Sequence, residues 1–315
     1  MLEVQNSVRL ISEQGFTVAR LANAQVEVAV IPALGAKLFS LRSLATGREW
    51  LWRPPGPTRL FANQLGDAFT DGTLIGADEC LPTIGACNVA GRALPDHGEA
   101  WSAAWTLDEA ACARGEIVTS LRLPRSPFTI TRTVRLDDSS VLLDYELRNH
   151  ASTRQPFLWA LHPLLTLVEG DRLYLPDEVR QVRVEVARDP DAARGTRWEW
   201  PRPAPGVDLQ ALTLASDEAF AKFFAGPLPT GAARIENVNT GDRLEFRWSA
   251  AEHPFVGVWL TRGGWRGAHH PALEPTNAAC DALTDALREP TPALFVAAGE
   301  TRRWQVVIDL SPRPD

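Results

Sequence analysis

The sequence predicts an antiparallel all-β sandwich. Three observations carry that reading: runs in which apolar and polar residues alternate, turn sequences that separate them, and a scarcity of amphipathic helical patterns. "QVEVAVIP" sets Val26, Val28 and Val30 against polar or small residues and stops at Pro32, as a strand does. "KLFSLRSLATGREWLW" alternates again and turns at Thr46-Gly47. "FTITRTVRLDDSSVLLDYELRN" reads as a hairpin with Asp137-Asp138-Ser139-Ser140 at its tip. "ARIENVNTGDRLEFRW" reads as a second hairpin around Thr240-Gly241-Asp242, and "ALFVAAGETRRWQVVIDL" as a third around Gly299-Glu300. Only "NAACDALTDALRE" suggests a helix, of one or two turns. The Pro-rich stretches "WRPPGPTRL" and "WPRPAPGVD" read as surface loops, and strand patterns continue on both sides of each. One domain spanning residues 1–315 is expected.

Composition excludes several classes. A chain of 315 residues with 45% hydrophobic and 23% charged residues is long and apolar enough to bury a sizeable core. A net charge of −7 argues against nucleic acid and against an anionic membrane surface. No run of about 18 apolar residues is available to span a bilayer. The N-terminal "MLEVQNSVRLISEQGF" has no basic region leading into an apolar one, so no signal peptide is expected and the cytoplasm is the expected location. Cys80, Cys87, Cys112 and Cys280 match no C-x-x-C metal pattern and are expected to be reduced. Nearly all positive charge is arginine; Lys37 and Lys222 are the only lysines. Tryptophan is abundant, 11 residues against 2 tyrosines. Its flat apolar face with one N–H suits packing on the C–H face of a sugar as well as filling a thick core.

Candidate chemistry centres on histidine and glutamate. His150 and His253 read as turn residues, His253 at the surface. His269 and His270 are adjacent on a strand and so point to opposite faces. In "LPDHGEAW", His97 is flanked by Asp96 and Glu99, either of which can fix its tautomer, and Gly98 permits a close backbone approach. In "FLWALHPLL", His162 is an imidazole within an apolar run and needs a partner. In "HHPALEPTNAACDAL", Glu274 precedes Pro275, which biases it to an extended conformation at the end of a strand, pointing somewhere definite.

These motifs in this order, "HGEAW", "LHPLL" and "ALEPTNAACDAL", resemble the aldose 1-epimerase (galactose mutarotase-like) superfamily. "IPALGAKLFSLRSLATGREWLW", "GADECLPTIG" and "FVGVWLTRGGW" are similar to further segments of that family, so the resemblance runs from about residue 26 to residue 310. It implies a large antiparallel β-supersandwich and interconversion of the α and β anomers of a sugar by acid/base ring opening. Carried over, Glu274 is the base, His162 as imidazolium is the acid, and His97 binds near the ring oxygen. Asp78, Glu79, Trp101, Trp159 and Trp259 are expected to bind substrate. A mid-chain sugar-binding aspartate is expected at Asp208 or Asp217.

The chain departs from the family pattern in two places. Glu99 and Trp101 follow the first His-Gly where an aromatic and an arginine are usual. Asp78 and Glu79 stand in the region of the usual Asn-Arg. The resemblance therefore implies a reaction type and leaves the sugar open. It implies no cofactor, and the carboxylate–histidine set lacks the compact spacing of a metal site. A small-molecule sugar is the expected partner, with the chain a monomer or homodimer. Two other readings stay open: a non-catalytic carbohydrate-binding protein on the same fold, and a lyase or hydrolase, for which only Tyr145 and Tyr174 offer a phenol.

Overall fold

A computed structural model describes residues 6–312. Two antiparallel sheets face each other. Among the described residues the larger has 11 strands. Its central strands, in spatial order, are Lys37–Ser43, Ala77–Cys80, Ala160–Pro163, His269–Thr276, Phe255–Arg262 and Ala219–Ala225. The second sheet has eight strands among the described residues, with Gly231–Asn237, Arg243–Trp248, Thr301–Asp309, Ser140–Asn149 and Phe128–Asp137 adjacent in that order. Two further sheets are two-stranded hairpins or pairs at the periphery.

Alternation explains the packing. Along Phe128–Asp137, every second residue from Phe128 to Leu136 is buried, and the intervening residues are not. The buried set meets the inward set of the other sheet, so that Val28, Val30, Leu38 and Leu161 pack with Ile130, Leu143, Phe246 and Val306 in one core. The first two predicted hairpins form, Phe128–Asp137 with Ser140–Asn149 and Gly231–Asn237 with Arg243–Trp248. The third does not. Phe295–Val296 pairs with Gln155–Pro156, while Thr301–Asp309 lies between Ser140–Asn149 and Arg243–Trp248. A long strand that buries Trp304, Val306 and Ile308 finds longer ladders there than a two-residue neighbour could offer. The helical pattern near residue 280 becomes a single turn, Leu283–Ala286.

Glu274 lies inside the strand His269–Thr276 rather than at its end. Two prolines are tolerated because the ladder on one side is sparse. Toward Ala160–Pro163 only Ala160 registers, against Thr276, with a separate bridge from Leu164 to Ala272. His253 is a correction. It is buried rather than at the surface, 1% exposed, between the rings of Trp159 and Trp304. Among the described residues no helix is long and apolar enough to cross a membrane.

Candidate functional site

A row of polar side chains crosses the middle of the larger sheet, and strand register dictates it. Residues directly opposite in an antiparallel pair share a face, as do residues two apart along a strand. Leu38 opposite Ala77 sets Lys37 beside Asp78, and Asp78 stands opposite His162. Ala160 opposite Thr276 brings Glu274 level with His162. Glu274 then faces Gly257, which faces Phe224, two residues from Lys222. The row reads Lys37, Asp78, His162, Glu274, Lys222, and Asp281 closes it from the loop that follows. Lys37 Nζ is 2.6 Å from Asp78 Oδ1. His162 Nε2 is 3.5 Å from Glu274 Oε1, and Lys222 Nζ is 2.8 Å from both Glu274 Oε2 and Asp281 Oδ1.

His97 joins the row from a loop that its neighbours lock in place. Its backbone has φ +57°, and the next residue, Gly98, has φ +76°. A Cβ on Gly98 would stand 2.3 Å from the Leu81 carbonyl oxygen, so only glycine lets the loop close on that strand. The His97 N–H donates to Ile84 O and the Glu99 N–H to Leu81 O, both at 2.6 Å. The His97 ring stacks on Phe69 at 3.8 Å and meets His162 edge-on, 5.2 Å between centroids. Asp96 fixes the tautomer: its Oδ1 is 2.9 Å from His97 Nδ1, and its Oδ2 accepts from the Phe69 N–H. Glu99 turns away and accepts from the backbone N–H groups of Arg125 and Ser126.

Burial sets the electrostatics. Burial, then His97 and Lys222, holds the pKa of His162 well below the usual histidine value, so its resting form is neutral and not the imidazolium expected from sequence. For Glu274, burial outweighs the one lysine it shares and raises the carboxyl above its ordinary value. For Lys222, burial acts downward, but Asp281 and Glu274 together outweigh it and keep the ammonium charged. For Asp96, burial is outweighed by the hydrogen bond and charge of His97, and the carboxyl is lowered. Burial also lowers His270, to about 4.

These groups open on a cavity of about 260 Å3 lined by Phe69, His97, His162, Lys222, Trp259, Trp265, His270, Glu274 and Asp281. Its wall is aromatic: Trp259 meets Trp265 edge-on at 5.9 Å, and Phe69 lines it too, with His97 stacked on it. A larger open groove of about 590 Å3, near Arg183, Arg194 and Thr291, contains none of the histidines or Glu274. Among the described residues, no group of three or more His, Cys, Asp or Glu side chains is placed to hold a metal ion.

The structure thus brings His97, His162, Glu274 and Trp259 to one cavity. Four residues expected to bind substrate are elsewhere. Asp78 is on the right face but is buried and spent on Lys37. Glu79, its strand neighbour, points to the opposite face, where it accepts from Arg132 Nη1, Tyr145 Oη and Trp159 Nε1, each at 2.8 Å. Trp159 is therefore a core residue, 0% exposed. Trp101 sits behind Phe69, donating Nε1–H to Asp96 O at 3.0 Å. Neither mid-chain aspartate lines the cavity; Asp208 pairs with Arg172 and Asp217 with Arg262. Sequence reasoning missed Lys222, Asp281 and Phe69. One signal pointed to Lys222: it is one of two lysines in a chain that otherwise carries arginine, and the other, Lys37, is buried in the same row.

No family model matches the chain, and no curated protein matches it. Solved structures do. A galactose mutarotase-like protein from Clostridium acetobutylicum is similar with a TM-score of 0.71 at 12% identity, over 98% of this chain and 99% of that one. The Slr1438 protein from Synechocystis is similar with a TM-score of 0.68 at 15% identity, over 99% of each chain. A galactose mutarotase related enzyme from Lactobacillus acidophilus is similar with a TM-score of 0.66 at 16% identity, over 94% of this chain and 98% of that one. The fold is the galactose mutarotase-like one, all-β and built on large antiparallel sheets.

Proposed function

We propose that the protein is an aldose 1-epimerase-like isomerase that interconverts the anomers of a sugar. The observation that carries the reading is the buried carboxylate and imidazole, 3.5 Å apart, opening on a cavity of about 260 Å3. That is slightly below the ~300–1,000 Å3 usual for ligand pockets, a size for one sugar ring. Phe69, Trp259 and Trp265 offer flat faces for its C–H groups.

Glu274 takes the proton of the anomeric hydroxyl, the C1–O5 bond breaks to leave an aldehyde at C1, and O5 takes up a proton. Rotation about C1–C2 and closure by the reverse steps give the other anomer. His162 delivers the proton to O5. Neutral at rest, His162 first takes a proton from solvent in the cavity, and the Glu274 carboxylate 3.5 Å away balances that charge until the proton passes to O5; closure returns it to His162. His97 hydrogen-bonds near the ring oxygen.

NMR exchange of anomeric protons across a panel of free and phosphorylated aldoses tests this. The wild type should accelerate exchange of at least one sugar. Glu274→Gln should slow it by about 10²–10⁴-fold, the size of a general-base contribution, while sugar binding persists because the amide still hydrogen-bonds. Full activity in Glu274→Gln would put the base elsewhere. A sugar that binds the wild type without exchanging would make this a binding protein.

A further inference from the structure

We infer that Lys222, backed by Asp281, is a positioning residue of the site: it keeps the buried Glu274 carboxylate ionised and turned so that Oε1 faces His162. The inference rests on Glu274 being the base, and it assigns a part to two residues that the reaction itself does not require.

Geometry carries it. Lys222 is 5% exposed and lies across an intervening strand from Glu274. At the crossing point that strand carries Gly257, where a Cβ would stand 3.2 Å from Glu274 Oε2 and 3.1 Å from the Phe224 ring. With no side chain there, the ammonium reaches Oε2 at 2.8 Å and leaves Oε1 on the His162 side. A compact ammonium suits this slot better than a planar guanidinium, in a chain that uses arginine almost everywhere else.

Asp281 is fixed as firmly. Its backbone oxygen accepts from the Ile84 N–H at 3.0 Å and the Gly85 N–H at 2.7 Å. Ile84 O in turn accepts from the His97 N–H, so the loops carrying Asp281 and His97 are tied to one segment. Lys222 therefore shares its charge between two carboxylates, one of them on a loop whose backbone is tied to the His97 loop. The other titratable groups around Glu274 are His162 on the neighbouring strand, Cys80 one strand further on and His97 from its loop. None of them places a second permanent cation on the Glu274 carboxylate.

The two partners act on Glu274 with opposite signs, which makes the inference testable without a sugar. Glutamate labelled with 13C at the side-chain carboxyl, with the Glu274 signal assigned by its loss in Glu274→Gln, gives the midpoint directly. In Lys222→Met the Glu274 midpoint should rise by at least one pH unit, a tenfold gain in proton affinity. In Asp281→Asn it should fall, because Lys222 then serves Glu274 alone. The acid limb of the anomer-exchange rate should move with each midpoint, with KM little changed. A folded Lys222→Met whose Glu274 midpoint stays put overturns the inference. So does an upward shift in Asp281→Asn, which decides the matter alone if Lys222→Met does not fold. A wild type that exchanges no sugar would instead sink the proposed function, while the titrations still report on the coupling.

Discussion

Gly257 and Glu274 face each other across adjacent strands, and the missing side chain at Gly257 is the space in which the carboxylate reaches Lys222. Gly257→Ala should therefore disturb the site more than the fold. The added methyl would sit 3.1 Å from Phe224 and 3.2 Å from Glu274 Oε2, so one of them must shift. A displacement approaching 1 Å in a reacting group can cost about 10²-fold in rate. We expect the anomer-exchange rate to fall by about that factor with the melting temperature changed by only a few degrees. Unchanged exchange in a folded variant would show that the carboxylate has room to spare.

Asp96 is expected to act on rate rather than on sugar affinity. It touches His97 Nδ1 and the Phe69 N–H, and so holds the His97 ring in place beside His162. Asp96→Asn keeps the shape and loses the charge. A charge-assisted hydrogen bond is worth about 1.5–3 kcal/mol, or about 10–100-fold in rate. kcat should fall by that factor with KM nearly constant. A rise in KM at constant kcat would instead make Asp96 a sugar ligand.

What the sequence made legible depended on how local the signal was. The Phe128–Asn149 hairpin could be read because ten residues on each side alternate around a polar turn. The pairing of Thr301–Asp309 could not, because its partners are more than 50 residues away in the chain. The order of the His97, His162 and Glu274 motifs singled out residues that share a cavity. Asp78 and Glu79 show where motif reasoning stops: adjacent on one strand, they face opposite sides, and each is consumed by a cation that sequence proximity does not reveal, Lys37 and Arg132. Lys222 sits in "AFAKFFAG", which reads as an ordinary buried strand, so its pairing with Glu274 appears only once the strands are registered.

His253 should make the fold sensitive to acid. It is buried between aromatic rings with neither ring nitrogen hydrogen-bonded, and burial, with Arg302 adding to it, lowers its pKa to about 3. In the unfolded chain it titrates near 6.5. Between those values the unfolded state binds a proton that the folded state does not. Stability is therefore lost as pH falls from about 6.5 toward about 3, by up to about 1.4 kcal/mol per pH unit from this group. His253→Leu should flatten that part of the melting-temperature profile relative to wild type. Parallel profiles would mean that His253 is not held neutral by the fold.

Glu79 separates a structural carboxylate from a sugar-binding one. It accepts from Arg132, Tyr145 and Trp159 on the face of the larger sheet that meets the other sheet, away from His162. Glu79 and Arg132 are both 0% exposed. Glu79→Gln keeps the shape but strands the Arg132 guanidinium in the core. Breaking one side of a buried ion pair costs about 3–5 kcal/mol, whereas replacing both sides with apolar groups of similar volume is often neutral. Chemical denaturation should show that loss for Glu79→Gln, and Glu79→Leu with Arg132→Met should recover only part of it, because Tyr145 Oη and Trp159 Nε1 then lose their acceptor. Neither change should alter sugar binding by the folded protein, because Asp78, the neighbour on the cavity side, stays paired with Lys37. A Glu79→Gln variant with wild-type stability and weakened sugar binding would return Glu79 to the site that its sequence context first suggested.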